Sequence, residues 1–458
     1  MTSSVTFAPA IVHGSGVRSA RSRLGSVLFY GVFSLLLFGP LAFGAVESWS
    51  IALLQVGTGL LFALWAGGEV AAGELKIVGN PLFLPMLCFA GLILWQLATG
   101  RTAYRAQTFS AALLYCTYGV LCFLAVQCLR RTSQVKVLAW VFSGYGFAVA
   151  TFALAQSIAS NGKLYWLRTP QSDGWIYGPY VNHNHYAGLM EMLTPIPLVI
   201  SFVGGVRGSR KALAVFAAAV MASTIFLSGS RGGMMALAAQ MALLAAFLLK
   251  RGRNGTAVLA MACFLVIALV LLAWLGGGEL AERVASIHDG TRAELSGGTR
   301  LIIDRDALKM FAQKPLMGWG LGVFPVIYPP FSSLSTNLQV GPAHNDYLQL
   351  LVEMGALGFA IVFLFLLTLL RSVSEKLKHR PPDTNAAVTL AAMLGVAGIL
   401  LHSCVDFNLQ IPANAALFYV LCVVAGLEPR FGRHRRRHRV NSAGESAGPL
   451  SSTIAVWT

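Results

Sequence analysis

Long apolar runs repeated along most of the chain are the feature that most constrains its fold. Each run extends over roughly 17–25 residues, the length that an α-helix needs to cross about 30 Å of hydrocarbon, and polar connectors separate the runs. A composition of 56% hydrophobic and 11% charged residues excludes an ordinary soluble globule. We predict an all-α polytopic bundle of about twelve membrane spans, at 24–44, 50–66, 81–99, 109–129, 134–158, 184–206, 211–228, 232–249, 255–276, 345–370, 385–403 and 411–427.

Positive charge orients the predicted spans. About two thirds of the 34 Lys and Arg residues fall on one side of the membrane if the N-terminal segment 1–23, predicted to be basic and disordered, is cytoplasmic. The basic C-terminal tail 428–458 lies on the same side, so we predict that both termini are cytoplasmic. The net charge of +16 then reflects topology and contact with anionic membrane lipids rather than nucleic-acid binding.

One sizeable loop domain, 277–343, interrupts the predicted transmembrane domain 24–427 on the opposite side of the membrane. Leu301, Leu308 and Phe311 recur in it near helical spacing. This spacing predicts an amphipathic helix that lies along the membrane surface.

Two pairs of side chains raise the question of a metal. Asp304 and Asp306 resemble the carboxylates that hold a metal and a diphosphate, but Arg300 lies four residues before Asp304, which favours a surface ion pair. His183 and His185 form a His-x-His pair, yet a zinc site needs three or four ligands and no partner set is evident. We predict no metal and no cofactor.

A short connector at 227–233, predicted to lie on the non-cytoplasmic side of the membrane, contains Arg231 between glycines. An arginine at this position opposes the distribution of positive charge elsewhere. The glycines let backbone N–H groups approach a ligand, and the following helix N-terminus adds partial positive charge, which together outline an anion site. An arginine whose charge reaches the lipid headgroups explains the segment equally well.

The tenth predicted span begins with a polar sequence. Pro342 disfavours helix before it, so the helix should begin at or just after His344. Asp346, Gln349 and Glu353 follow at i, i+3 and i+7, which places them on one helical face. Polar groups at that depth must face protein or water.

Other polar residues lie at the ends of predicted spans on the non-cytoplasmic side of the membrane. Asn182 and Asn184 precede or begin the sixth span, where they either cap the helix or bind a sugar. Glu191 is costly in hydrocarbon and should face the interior of the bundle. His402 is best interpreted as a core hydrogen-bonding residue, and Asp406 could orient a partner.

Together these residues suit chemistry on a lipid-anchored substrate whose polar head projects from the outer leaflet. Glycosyl transfer from a diphosphate-linked lipid needs a base for the attacking hydroxyl and cations for the departing diphosphate. Histidine has a suitable pKa for the first task, and the planar guanidinium of arginine grips phosphate oxygens for the second. The candidates gathered at the outer ends are the loop 178–186 and Arg231, Arg300, His344, Asp346 and Asp406.

The sequence resembles the O-antigen ligase and O-antigen polymerase superfamily of bacterial inner-membrane proteins. The residues that carry the resemblance lie in short patches: Ser228 to Gly232, Arg300 to Phe324 with its Pro-Leu-Met-Gly-Trp-Gly motif, His344 to Leu348 with Glu353 and Gly355, and, more generally, Gly178 to Ala187 and Asp406 to Pro412. The resemblance implies a membrane-embedded glycosyltransferase of the C type with its active site on the periplasmic face.

It also implies the reactants and the roles of residues. The donor would be an undecaprenyl-diphosphate-linked oligosaccharide, and the reaction would be inverting and metal-independent. His344 would be catalytic, Arg231, Arg300 and Arg168 would bind the diphosphate, and Arg305 is a weaker candidate. Supporting residues would be Asn345, Asp346, Tyr347, Glu353, Asn182, Asn184 and Asp406. Ligase and polymerase share these features, so the acceptor is left open between another glycan, lipid A-core and a protein hydroxyl.

The competing interpretation is a transporter or flippase of lipid-linked oligosaccharides without catalysis. Transporters usually place ionisable residues near the bilayer midplane and contain inverted repeats. Here the polar residues cluster at the outer ends of the spans, and no convincing repeat is evident. A structural scaffold would leave the buried acids unexplained, so the sequence favours an enzyme.

Overall fold

The computed structural model describes most of the chain. The described ranges are 14–73, 75–169, 175–252, 297–334, 340–379 and 383–427, with the single residues 255 and 270. The predicted ninth span at 255–276, apart from those two residues, and the predicted tail at 428–458 lie outside them.

The described residues fold into helices, and extended pairing among them is confined to the isolated bridges Leu164–Arg168 and Tyr177–Tyr180. In chain order the helices are α1 (Gly14–Leu41), α2 (Ser48–Ala71), α3 (Phe83–Ala98), α4 (Arg105–Cys128), α5 (Thr132–Ile158), α6 (His183–Leu193), α7 (Pro195–Phe202), α8 (Gly208–Leu227), α9 (Arg231–Lys250), α10 (Gly297–Gln313), α11 (Phe324–Ile327), α12 (Asp346–His379), α13 (Thr384–His402) and α14 (Pro412–Gly426).

Eight of these helices are long and apolar enough to cross a membrane, and α3 and α14 are shorter apolar helices. The all-helical, multi-pass architecture is therefore confirmed, while the number of twelve spans stays a prediction. The predicted sixth span, 184–206, is divided into α6 and α7 at Thr194, because Pro195 and Pro197 begin a new helix there.

The first helix corrects one prediction. Residues 1–23 are predicted to be disordered, but α1 begins at Gly14, so the prediction is wrong for 14–23, and residues 1–13 lie outside the described ranges. The reason is cooperative: once the apolar part of the helix is formed, each further residue adds one backbone hydrogen bond at little extra cost.

Helix α13 lies at the centre of the bundle, packed against α9, α14, α7 and α6. Its small residues permit this crowding. A Cβ atom on Gly395 would lie 2.8 Å from the carbonyl oxygen of Met192, and one on Gly398 would lie 2.1 Å from the side-chain nitrogen of Gln240. Close backbone approach through small residues is the usual basis of helix packing in membranes. It fixes the C-terminal end of α13, where the polar residues gather.

Helix α12 is broken at Gly355, which adopts φ 65° and ψ −172°. Backbone groups beside the break bond to the loop 315–322 instead: the N–H of Trp319 donates to the carbonyl of Val352 at 2.9 Å. A Cβ on Gly318 would lie 2.4 Å from the backbone of Glu353, so the two segments lie in direct backbone contact. Backbone hydrogen bonds therefore hold the glycine-rich loop 315–322 against α12.

Helix α10 confirms the helix predicted around residue 301. It packs inward through Ile303, Ala307 and Met310 against a small core that also contains Val352 of α12. Leu301 is 70% exposed on its other side, as a membrane-facing surface requires; the location on the membrane surface stays a prediction.

Candidate active site

Asp406 lies in the loop between α13 and α14 and is the centre of a charged cluster. Its side chain is buried, with Oδ1 3.8 Å from Nε2 of His185 and 4.0 Å from Nδ1 of His344, and with Oδ2 3.8 Å from Nη2 of Arg300. Burial alone would raise the pKa of Asp406, but its electrostatic interactions with His185, His402, Arg300 and His344 lower it below its ordinary value. Asp406 is therefore a carboxylate that organises cationic groups.

The cluster joins parts of the chain that are remote in sequence. His185 belongs to α6, Arg300 to α10, and His344 to the loop before α12. The ring of Phe407 lies 4.7 Å from each of the two imidazole rings in an edge-to-face arrangement. Three neighbouring buried atoms have no hydrogen-bond partner among the described residues: Nε2 of His185, Nε of Arg300 and Oδ2 of Asp406. Such atoms are rare in folded proteins and are available to a polar ligand.

The two histidines differ in access. The side chain of His344 is 14% exposed and that of His185 is 8% exposed. The carbonyl of His185 is held by Asn414, whose Nδ2 donates at 2.9 Å, while the hydroxyl of Tyr180 donates to Oδ1 of Asn414 at 2.8 Å. His185 is thus fixed inside the bundle, and His344 is the more accessible ring.

His344 also has a strained backbone, with φ of 52°. A left-handed conformation costs a non-glycine residue about 1–2 kcal/mol, so the surrounding structure must hold it. On one side, Oε1 of Gln349 accepts from the N–H of Ala343 at 3.0 Å. On the other, the N–H of Asp346 donates to the carbonyl of Ser403 at 3.0 Å. The ring is therefore directed by two fixed neighbours, and strain of this kind is typical of functional positions.

The predicted start of the tenth span is confirmed. The helix begins at Asp346, and Oδ1 of Asn345 accepts from the N–H of Tyr347 at 3.1 Å and of Leu348 at 3.2 Å, which caps the first turn. The hydroxyl of Tyr347 donates to the carbonyl of Leu400 at 2.8 Å, so this side chain ties α12 to α13.

The acids of α12 bind backbone rather than solvent. Asp346 accepts from the hydroxyl of Ser403 at 2.8 Å and from the N–H of Leu409 at 3.0 Å. Glu353 accepts from the N–H of Gly322 at 2.8 Å and of Phe324 at 3.2 Å. These contacts correct part of the argument from sequence, because structural anchoring explains the buried acids without catalysis. Their effect is to fix the loops on either side of His344.

A second buried pair lies beside the Asp406 cluster. Nδ1 of His402 is 2.8 Å from Oε1 of Glu191, and its Nε2 is 3.5 Å from the hydroxyl of Ser230. Ser230 in turn caps α9 by accepting from the N–H of Gly233 at 3.2 Å. Both predictions are confirmed here: Glu191 faces the interior of the bundle, and His402 is a buried hydrogen-bonding residue. The pair fixes the N-terminus of α9.

Arg231 is the first residue of α9, directly after this cap. Its side chain is exposed and makes no hydrogen bond or ion pair with the residues that the structure describes. A free guanidinium on a rigid helix terminus, at the end of the bundle where α13 also ends, is suited to an anion.

The two carboxylates of α10, Asp304 and Asp306, make different contacts. Arg300 does not form the predicted salt bridge with Asp304: its Nη1 donates to the carbonyl of Val405 at 2.8 Å, and its Nη2 faces Asp406. Burial raises the pKa of Asp304 to about 6, and the charge of Arg300 opposes this rise. Asp306 instead anchors the loop after α11, since its Oδ1 accepts from the hydroxyl of Ser333 at 2.7 Å.

Other predicted site residues lie away from the cluster or support it indirectly. Arg168 contacts Glu47 at 2.7 Å and lies over the ring of Phe43, and it makes no ion pair with Asp406. Its role in binding a diphosphate stays a prediction. Oδ1 of Asn182 accepts from the N–H of Asn184 at 2.8 Å, which confirms the capping interpretation for Asn182, while sugar binding by Asn182 and Asn184 stays a prediction.

The described His, Cys, Asp and Glu side chains were predicted not to form a metal site. Within the described ranges, no group of three or more His, Cys, Asp or Glu side chains has an arrangement that could hold a metal ion. Independence of metal stays a prediction for the whole chain.

Residues 216–363, which include Arg231, Arg300 and His344, match the family model described as O-Antigen ligase. The matched segment makes up about a third of the chain, and the similarity to this family is shown for that segment. The match confirms the resemblance to the O-antigen ligase and polymerase superfamily and supports glycosyltransferase activity in general. His185 and Asp406, which complete the cluster, lie outside the segment matched to the O-antigen ligase domain. No curated protein matches the chain.

Proposed function

We propose that this protein is a membrane glycosyltransferase that moves a glycan from an undecaprenyl-diphosphate-linked donor to a hydroxyl acceptor. The observation that carries the proposal is the convergence of Arg300 and His344 on Asp406, with buried polar atoms around it that have no hydrogen-bond partner among the described residues. The similarity of residues 216–363 to the O-antigen ligase family supports the same reaction class. The site would lie on the periplasmic face of the bacterial inner membrane.

His344 acts on the acceptor. It accepts the proton of the acceptor hydroxyl as that oxygen attacks the anomeric carbon of the glycan. The carboxylate of Asp406, 4.0 Å from Nδ1, orients the ring and stabilises the positive charge that the ring gains. His344 is preferred to His185 because its side chain is more exposed and its neighbouring loops are fixed.

Arg300 and Arg231 act on the donor. The bond between the anomeric carbon and the diphosphate oxygen breaks, and its electron pair leaves on that oxygen. Arginine neutralises the developing charge with a planar fork of donors, so that no metal is required. Arg300 has a buried Nε atom without a partner among the described residues, and Arg231 is an exposed cation at a helix terminus that pairs with none of those residues.

The test is reconstitution of the full chain in vesicles with a lipid-linked oligosaccharide and a set of acceptors. The expected result is transfer of the glycan with release of one undecaprenyl diphosphate per bond formed, unchanged by a metal chelator. Movement of the donor across the membrane without release of diphosphate would overturn the enzymatic proposal in favour of transport. Activity that requires a divalent ion would overturn the roles given to the two arginines.

A further inference from the structure

A cavity of about 300 Å³ opens at the end of the bundle opposite to the candidate active site. It is lined by the first turns of α5 and α8 and by Thr384 at the start of α13. Helix α13 ends at His402, beside the Asp406 cluster, and is 19 residues long. At about 1.5 Å per residue, the cavity and the candidate active site are separated by about the thickness of a membrane.

Three cations line this cavity: Lys136, Arg207 and Arg210. All three are exposed, and none has a hydrogen bond or ion pair with the part of the chain that the structure describes. No Asp or Glu is among the lining residues. The nearest in sequence, Asp383, caps α13, where its Oδ1 accepts from the N–H of Ala386 at 2.8 Å. Uncompensated positive charge around a concave site attracts an anion, and Arg with Lys is the usual donor set for phosphate.

The connection between α7 and α8 keeps the cavity open to a ligand. Gly205 has φ of 73° and lines the wall, and Gly208 has φ of 60° at the start of α8. A Cβ atom on either would have nothing within 4 Å. The backbone of this connection therefore borders open space at both glycines.

The surroundings of the cavity indicate a lipid rather than a free ion. Next to Lys136, the α5 residues Val137 and Val141 are 43% and 40% exposed, and close to Arg210 the α8 residues Leu213 and Phe216 are 59% and 46% exposed. Exposed apolar side chains on spanning helices face acyl chains. These two helices pack against each other, so their exposed strips are neighbours.

Trp140 adds a marker of depth. It lines the cavity one turn after Lys136, and tryptophan is enriched at the level of the lipid headgroups. We propose that this cavity binds the phosphate headgroup of an anionic phospholipid, whose acyl chains lie along the exposed strips of α5 and α8. This lipid site is separate from the glycan-transfer site and does not depend on its chemistry.

The experiment measures lipid retention by native mass spectrometry of the full chain, purified in micelles that contain equal amounts of phosphatidylglycerol and phosphatidylcholine. The test variant combines Lys136→Gln, Arg207→Gln and Arg210→Gln. The matched control combines Lys211→Gln, Arg371→Gln and Lys378→Gln, which removes the same charge at the same end of the bundle but outside the cavity lining. We expect wild type and control to retain phosphatidylglycerol and the test variant to retain about tenfold less.

Equal retention of phosphatidylglycerol by wild type and the test variant would overturn the proposal, and so would equal retention of the two lipids by wild type. Arg210→Gln alone provides a milder variant, expected to retain an intermediate amount if the triple variant folds poorly. A separate arm adds inorganic phosphate. If phosphate alone raises the melting temperature of the wild type as much as phosphatidylglycerol does, the cavity takes the free ion and the lipid assignment fails.

Discussion

Arg300 contacts Asp406 at the end of the bundle where α13 ends, with Nη2 3.8 Å from Oδ2 and with Nη1 donating to the adjacent Val405 carbonyl at 2.8 Å. One guanidinium thus joins α10 to the loop after α13 and still has its Nε free of partners among the described residues. A single ammonium group has no such planar set of donors.

Arg300→Lys should therefore lose at least about tenfold in glycan transfer, because lysine keeps the charge but not the bidentate geometry. The comparison variant is Arg305→Lys, an exposed position on the same helix and the weaker diphosphate candidate, which should lose less activity than Arg300→Lys because it is Arg300 that pairs with Asp406. The measurement is the initial rate with reconstituted donor. Equal loss in both variants would mean that the helix, rather than the Arg300 contact, is sensitive to the change.

Arg231→Lys tests the other arginine. The residue is exposed at the start of α9, and its function as a diphosphate ligand predicts loss of most activity. A lysine would satisfy lipid headgroups equally well. A rate near that of wild type in vesicles would thus favour the headgroup interpretation over diphosphate binding.

His344 needs a substitution that separates its ring from its backbone. Asn tolerates the left-handed conformation that His344 adopts at φ 52°, whereas Ala does not. His344→Asn should abolish transfer while the variant keeps its membrane level, its melting temperature and its binding of donor. If His344→Asn is active and only His344→Ala is not, the backbone and not the imidazole is what the site requires.

Gly232→Ala probes the buried pair of Glu191 and His402. The added Cβ would lie 2.5 Å from Cδ2 and 2.6 Å from Nε2 of His402, so the ring must move away from Ser230. We expect a loss of about 1–3 kcal/mol in stability, which is typical of overpacking, together with lower activity. In Gly59→Ala the new atom meets nothing within 4 Å, and this control should stay within about 1 kcal/mol of wild type. Thermal unfolding in detergent compares the two.

The pKa of Asp304 gives the site a pH dependence. Burial raises it from 3.8 to about 6. Protonation of Asp304 therefore stabilises the fold at pH values below its ordinary pKa, and this contribution is lost as pH rises through about 6. Above that pH, Asp304 is an anion near Arg300 and competes with the diphosphate for its charge.

Asp304→Asn should consequently lower the donor KM at pH 8 and leave it unchanged at pH 5. Titration of the diphosphate itself affects both proteins equally and cancels in the ratio of the two KM values. A ratio that is the same at both pH values would contradict the coupling between Asp304 and Arg300.

Local sequence predicted much of this structure. Apolar run length located most of the spans because bilayer thickness fixes helix length. Pro342 located the start of α12 at or just after His344, and the spacing of Asp346, Gln349 and Glu353 correctly placed them on one buried face. Each of these features depends on residues within a few positions of one another.

Tertiary contacts were harder to predict. The i, i+4 spacing favoured Asp304 as the partner of Arg300, but packing brings Arg300 to Asp406 instead. Likewise, Arg168 donates a hydrogen bond to Glu47, more than a hundred residues earlier in the chain, and does not join the Asp406 cluster. The sequence raised His185 only as a weak metal-ligand candidate, and only the fold reveals it beside Asp406. The one available signal was that the polar runs 178–188 and 402–414 both lie at helix ends on the same side.

The break in α12 at Gly355 divides one continuous stretch of sequence between two structural units. The part before it belongs with the loop 315–322 and with the small core of α10, whereas the part after it belongs to the membrane bundle. A chimaera with a related protein should accordingly be joined at Gly355 and not at the start of the helix. A junction at Gly355 keeps the loop 315–322, Glu353 and His344 together in one transferred segment.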